Sequence, residues 1–398
     1  MIAENPQHIR QQPPPLLATG SRPAVRRFTV DGSEALEHRL EALVKKVHHG
    51  VLRITGDKAL QGLLLGGGYG RGEGGVLRTA QGDLPYNDLE FYVFLRGPLL
   101  KNRRKYQHLL NELSEELSHE AGLEVELKVF SLQKLRTSSV SMFFYDLFMG
   151  HCWVHGNEEL LAGCAHHGAG EFIPLHEATR LLMNRCSGLL LSAEYLQRPQ
   201  FAAPESDFVN RNLHKLRLAL GDAVLTSHGQ YHWTCEERHR RLHLLNLHLS
   251  WYPAVLAEHA RGVEFKLHPF QSTASRTELE GDHKVLSDLA QQVWLWLEGK
   301  RLVRNFGTPA EYINCKQNKC PETSAFRNLL LNVVYLRRNA LAAPWRHPRQ
   351  RVLEALALLL WLPLDAASVT RLQRLLCTKA ADFPALVGAY RALWSRVN

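Results

Sequence analysis

Two carboxylates, Asp88 and Glu90, stand two residues apart around Leu89, with the apolar run Phe91, Tyr92, Val93 and Phe94 behind them. On a strand, residues two apart point to the same face. Carboxylates held side by side repel each other unless a cation sits between them. Just upstream, Gly66, Gly67, Gly68, Gly70 and Gly72 crowd into one short stretch. A turn so rich in glycine lets backbone N–H groups come close to phosphate oxygens. A phosphate-cradling turn beside an acidic pair is the minimum kit for metal-assisted chemistry on a nucleoside triphosphate. Each half has an ordinary alternative: a plain turn for the glycines, a solvated strand face for the acids. Their succession, flanked by strand-like runs on both sides, favours the functional reading.

The elements that must hold these groups are legible around them. Residues 63–65 form an apolar run that reads as a strand leading into the turn. Residues 33–49 read as a helix capped by Ser33, with Leu36, Leu40, Leu43, Val44 and Val47 on one face. Residues 105–121 read as an amphipathic helix through Leu109, Leu110, Leu113 and Leu117, stopped by Gly122. The basic run 101–105 opens it on its solvated side. Residues 123–130 alternate: Val125, Leu127 and Val129 face one way, Glu124, Glu126 and Lys128 the other. The glycines also fit a dinucleotide fingerprint, Gly70-x-Gly72-x-x-Gly75. That fingerprint should open a helix, whereas a further turn and a strand-like run follow Gly75. Gly299-Lys300 continues into Arg301 and makes no Walker A sequence.

The motif Gly67-Gly68-Tyr69-Gly70-Arg71-Gly72-Glu73, followed by Pro85-Tyr86-Asn87-Asp88-Leu89-Glu90, resembles the signature of the DNA-polymerase-β-type nucleotidyltransferase superfamily. The glycine wording is closest to the uridylyltransferases that modify the PII protein. The Asp-x-Glu pair is closer to the aminoglycoside nucleotidyltransferases. Residues 74–84 depart from the pattern as an insertion, either a β-hairpin tip or a flap. The resemblance covers roughly the first 160 residues, and its two halves are specific only together. It implies an α+β fold, a mixed-sheet nucleotidyltransferase core followed by an all-helical domain. It implies Mg²⁺ as cofactor, held by Asp88 and Glu90, and a third carboxylate on a neighbouring strand. Glu126 is the candidate for that ligand or general base, with Glu124 second; the alternative is a half-exposed strand with a polar face. Gly67, Gly68 and Arg71 would meet the phosphates. Residues 143–155, running into Gly156-Asn157-Glu158-Glu159-Leu160, resemble the last strand of such a core.

From about residue 174 the periodicity is helical: 176–197, 207–228, 236–259, 282–299, 323–339, 347–362, 367–378 and 383–396. In 207–228, Leu213, Leu216, Leu220 and Val224 form an apolar stripe, and Asn212, Lys215 and Asp222 lie on another face. The stretch Leu218-Ala219-Leu220-Gly221-Asp222-Ala223 resembles a segment of nucleotidyltransferase helical domains, which implies Lys215 as a further contact to the triphosphate. A solvated face is the alternative. The expected organisation is a flexible Pro- and Gln-rich tail over 1–27, the core over 28–172 and the helical domain over 173–398, subdivided near 262–276.

The chain of 398 residues carries a net charge of +9, which suits a phosphate-bearing partner, yet it lacks a long basic block, so nucleic acid is not expected. An odd count of seven scattered cysteines favours reduced thiols and a cytoplasmic setting. The Cys and His residues between 151 and 167 fit a strand better than a zinc site, and Cys315 and Cys320 lack a second pair. The N-terminus has no secretory layout, and 352–364 is too short and too charged at Glu354 to span a membrane. The expected reaction is transfer of a nucleoside monophosphate from an NTP, ATP first, to a hydroxyl of a small molecule or protein. The runner-up is a catalytically inactive nucleotide-sensing or scaffold protein of the same fold. A homodimer is compatible with either.

Overall fold

The Ser33 side chain accepts a hydrogen bond from the Leu36 N–H, and helix α1 (Glu34–Thr55) follows. It runs past the expected end at 49, because Val51 continues the buried stripe of Leu36, Leu40, Leu43 and Val47. Gly56, at φ 74°, ends it. The computed structural model describes residues 27–336 and 344–397. The tail expected over 1–27 lies outside the described residues, apart from Arg27.

The fold is mixed α+β, with a small mixed sheet early in the chain and a mostly helical remainder. After β1 (Leu60–Leu65) comes a short helix α2 (Gly67–Arg71), where a turn was expected. The insertion folds as a hairpin, β2 (Val76–Thr79) paired with β3 (Gly82–Pro85). β4 (Leu89–Leu95) then leads into α3 (Leu99–Ala121), which ends at Gly122, φ 70°. β5 (Val125–Phe130) follows, running parallel to β4. A parallel pair needs a crossover, and α3 supplies it.

Two short helices, α4 (Leu132–Thr137) and α5 (Met142–Met149), precede β6 (Cys152–His155). The expected last strand over 143–155 is therefore a strand only at its end. Its first half is a helix capped by Ser141, because the run Phe143-Phe144-Tyr145 has no period-two alternation. The sheet order is β5-β4-β1-β6, with β1 antiparallel to both neighbours.

Period-two alternation divides the sheet residues between two cores. Leu63, Leu65, Leu89, Phe91, Val93, Val125, Leu127 and Val129 pack with α1 and α3. Leu64, Tyr92 and Phe94 pack on the other face with Leu135 of α4 and Leu147 of α5.

The helical part comprises α6 (Leu175–Leu196), α7 (Ala203–Ser227), α8 (Cys235–Leu244), α9 (Tyr252–Leu267), α10 (Arg276–Leu302), α11 (Pro309–Asn314), α12 (Ala325–Leu336), α13 (Arg349–Trp361), α14 (Ala366–Leu376) and α15 (Phe383–Val397). The single helix expected over 236–259 is two. Asn246 takes a left-handed conformation, φ 44°, in the break, and Pro253 stands at the start of α9, where its missing N–H is tolerated. The break expected over 262–276 narrows to 268–275. Gly262 lies inside α9, because a Cβ there would come 2.6 Å from the Leu218 backbone nitrogen; the glycine lets α9 lie close on α7. The end of the helix expected over 323–339 falls outside the described residues. α13 buries Val352, Leu353, Leu356 and Leu358, as a core helix should. Among the described residues no helix is long and apolar enough to cross a membrane. No disulfide joins the described cysteines.

Candidate functional site

Glu90 of β4 and Glu126 of β5 are register partners in the parallel pair. Asp88 stands immediately before β4, and one carboxylate oxygen from each of the three lies within 4.8 Å of the others. They occupy the face opposite α1 and α3, since Leu89, Phe91, Val125 and Leu127 take the other side. Glu124 is exposed and outside the cluster. Burial, and then the charge of Asp88, push the Glu90 carboxyl above its ordinary range. Three carboxylates this close repel one another unless positive charge lies among them. Three carboxylate oxygens at this separation could hold a metal ion.

Lys128 supplies part of that positive charge. Two residues after Glu126 and on the same face, its ammonium pairs with Glu126 and lies 3.8 Å from Glu90. Those carboxylates hold it above the usual lysine range, although burial opposes them.

The glycine turn adjoins the acids directly. Gly66 donates its N–H to the Glu90 carbonyl at 2.8 Å. Gly67 adopts φ 61°, and a Cβ there would sit 2.8 Å from Glu90 Oε2. Gly68 has a different neighbour: a Cβ would come 2.8 Å from the Nζ of Lys266 on α9. Consecutive glycines thus face a carboxylate and a lysine. The Tyr69 hydroxyl donates to the Gly75 carbonyl at 3.1 Å and accepts the Tyr86 N–H at 2.9 Å, while Asn87 Oδ1 accepts the Gly75 N–H at 2.9 Å. These bonds tie the turn to the segment that delivers Asp88.

Lys266 has no hydrogen-bond or ion-pair partner among the described residues. Burial, and then Arg71, push its ammonium below the usual lysine range. Lys215 of α7 also lacks a partner among them. It is open to solvent, yet the protein around it and the cations Arg185 and Arg211 lower it, with Asp88 acting the other way. Half-buried Arg185 of α6 is likewise without a hydrogen-bond partner among the described residues. Asn212 packs against Gly188, and Asp222 is buried, so the face shared with Lys215 divides between packing and ion pairing.

Arg71 pairs with two carboxylates outside the acid cluster. Its guanidinium lies 3.7 Å from Glu73 and 3.5 Å from Asp146 of α5. Asp146 accepts from the Tyr231 hydroxyl at 3.2 Å, Tyr231 accepts from Arg238 of α8 at 3.1 Å, and Arg238 pairs with Asp222 of α7 at 2.7 Å. Glu73 accepts the Cys235 N–H at 2.7 Å. In this arrangement Arg71 braces the turn against the helical part.

No protein-family model matches this chain, and no curated protein matches it.

Sequence reasoning named the acids, the glycines, Arg71 and Lys215, and missed Lys128, Lys266, Arg185 and the Asp146–Tyr231–Arg238 chain. Lys128 had a usable signal, because alternation puts it on the face of Glu126. Nothing local marks Lys266, which reaches Gly68 from α9, or Arg185, whose charge acts on Lys215 from α6.

Proposed function

We propose that this protein is a nucleotidyltransferase that moves a nucleoside monophosphate from an NTP, ATP first, to a hydroxyl acceptor and releases pyrophosphate. The observation that supports this best is the convergence of Asp88, Glu90 and Glu126 beside the Gly67–Gly68 turn. Asp88, Glu90 and Glu126 would hold Mg²⁺, which supplies charge neutralisation on the triphosphate and a more acidic acceptor hydroxyl. The acceptor oxygen bonds to the α-phosphorus, the bond from that phosphorus to the bridging oxygen breaks, and the electron pair leaves with pyrophosphate. Glu126 takes the hydroxyl proton. Gly67 and Gly68 leave room for phosphate against the backbone. Lys266 and Lys215, which lack protein partners, bind its non-bridging oxygens.

The Lys128 ammonium beside Glu126 and Glu90 favours a second reading, a nucleotide-binding scaffold whose acids are neutralised internally. Incubation with Mg²⁺ and each α-labelled NTP distinguishes the two. Pyrophosphate release with label passing to a hydroxyl compound or a protein supports transfer. NTP binding without either product supports the scaffold.

A further inference from the structure

A second set of metal-ligating groups runs through α8 and α9. His239 and His243 lie four residues apart on α8, so they share a helix face. Their Nε2 atoms are 3.2 Å apart and their rings stand at 89° to each other. Two imidazole nitrogens at this separation can bind one ion at about 2.0–2.1 Å each. The opposite nitrogen of His239, Nδ1, is 3.1 Å from Nδ1 of His259, a fully buried residue of α9. Those two rings are within 9° of parallel. His259 Nε2 faces Asp222 Oδ1 at 3.3 Å, and Asp222 is held by Arg238.

This chain of contacts assigns the tautomers. The Asp222 carboxylate accepts the Nε2–H of His259. In the neutral ring, His259 Nδ1 is then an acceptor, and it takes the Nδ1–H of His239. The remaining lone pair of His239 therefore lies on Nε2, the atom facing His243. A carboxylate linked to a ligating imidazole in this way fixes ring orientation and raises basicity. Burial, and then His259 and His243, push His239 down to about 4, so its ring is neutral at physiological pH. His243 is exposed and His239 half-buried, which gives an ion access from solvent.

We propose that His239 and His243 bind a divalent transition-metal ion such as Zn²⁺ through their Nε2 atoms, with His259 and Asp222 orienting His239 and solvent completing the shell. Imidazole donors favour such ions, whereas Mg²⁺ prefers oxygen. The site is thus distinct in chemistry from the acid cluster and does not depend on the transferase reading.

The test is Zn²⁺ titration of the full chain at neutral pH against a chromophoric chelator, with excess Mg²⁺ to cover oxygen sites. Wild type should hold one Zn²⁺ that His243→Ala and His239→Ala lose. His243 is on the surface, so its variant should keep the wild-type circular dichroism. His259→Phe, which removes both nitrogens of the relay, should bind that ion about 10–100-fold more weakly. Wild-type stoichiometry and affinity in His243→Ala would overturn the site. Wild-type affinity in His259→Phe would overturn the relay. A Cu²⁺-loaded sample giving nitrogen hyperfine structure in wild type, and none in His243→Ala, would support it independently.

Discussion

Glu90 and Glu126 face each other in register across the parallel β4–β5 pair, on the sheet face turned away from α1 and α3. Neighbouring strands lie about 4.8 Å apart, which brings carboxylates at paired positions within reach of a shared cation. A one-residue slip of β5 would put a leucine or a valine on that face and carry Glu126 into the apolar core. The burial of Val125, Leu127 and Val129 therefore holds the acidic site together.

Asp88→Asn should abolish nucleotidyl transfer and leave the fold unchanged by circular dichroism. It removes one of three mutually repelling charges, so the melting temperature without Mg²⁺ should rise. Full activity in this variant would remove Asp88 from the site.

Glu126→Gln should slow transfer by roughly 10²-fold or more, the scale for losing a general base. NTP affinity should change much less. Glu124→Gln is the control and should be nearly silent, since Glu124 is exposed and outside the cluster. The reverse pattern would move the base to Glu124.

Lys266→Met should have two effects of opposite sign. NTP affinity should fall by roughly tenfold or more, the scale of a lost charge-assisted hydrogen bond. Without ligand the melting temperature should rise, because burial disfavours the ammonium and no partner repays it. Thermal shift with and without NTP reads both. Unchanged NTP affinity would leave Lys266 outside the phosphate site.

The raised Glu90 carboxyl gives a pH dependence of definite sign. The folded protein holds this proton to higher pH than the unfolded chain does. Its penalty is absent below the ordinary glutamate range, grows as pH rises through that range, and is complete above the folded pKa. In chelator-treated buffer Glu90→Gln should therefore melt above wild type at neutral pH and converge with it below about pH 4. Convergence at neutral pH instead would mean that Lys128 already neutralises the site.

Arg238→Met should destabilise the protein by about 3–5 kcal/mol, the cost of leaving one partner of a buried pair alone. Both side chains of the Arg238–Asp222 pair are 5% exposed. Urea denaturation followed by tryptophan fluorescence reads the loss. A change under 1 kcal/mol, about the value of an exposed pair, would mean that this pair does not hold the helices together.

Local periodicity was enough for the acidic site. Alternation over 123–130 assigned Glu126 to its face, Gly122 ended α3, and Ser33 capped α1, because each depends on residues a few positions apart. The same local rules misjudged 143–155 and 236–259. There a helix of mixed aromatics preceded a short strand, and Asn246 with Pro253 broke an otherwise continuous helical pattern. The cations were beyond any local rule. Lys266 meets Gly68 because Gly262 lets α9 lie close on α7, and Arg71 pairs with Asp146 because a buried guanidinium demands a counter-charge. The strand pattern follows from backbone geometry, which repeats every two residues. Which distant side chains meet the glycine turn depends on how whole helices pack, and no spacing along the chain encodes that.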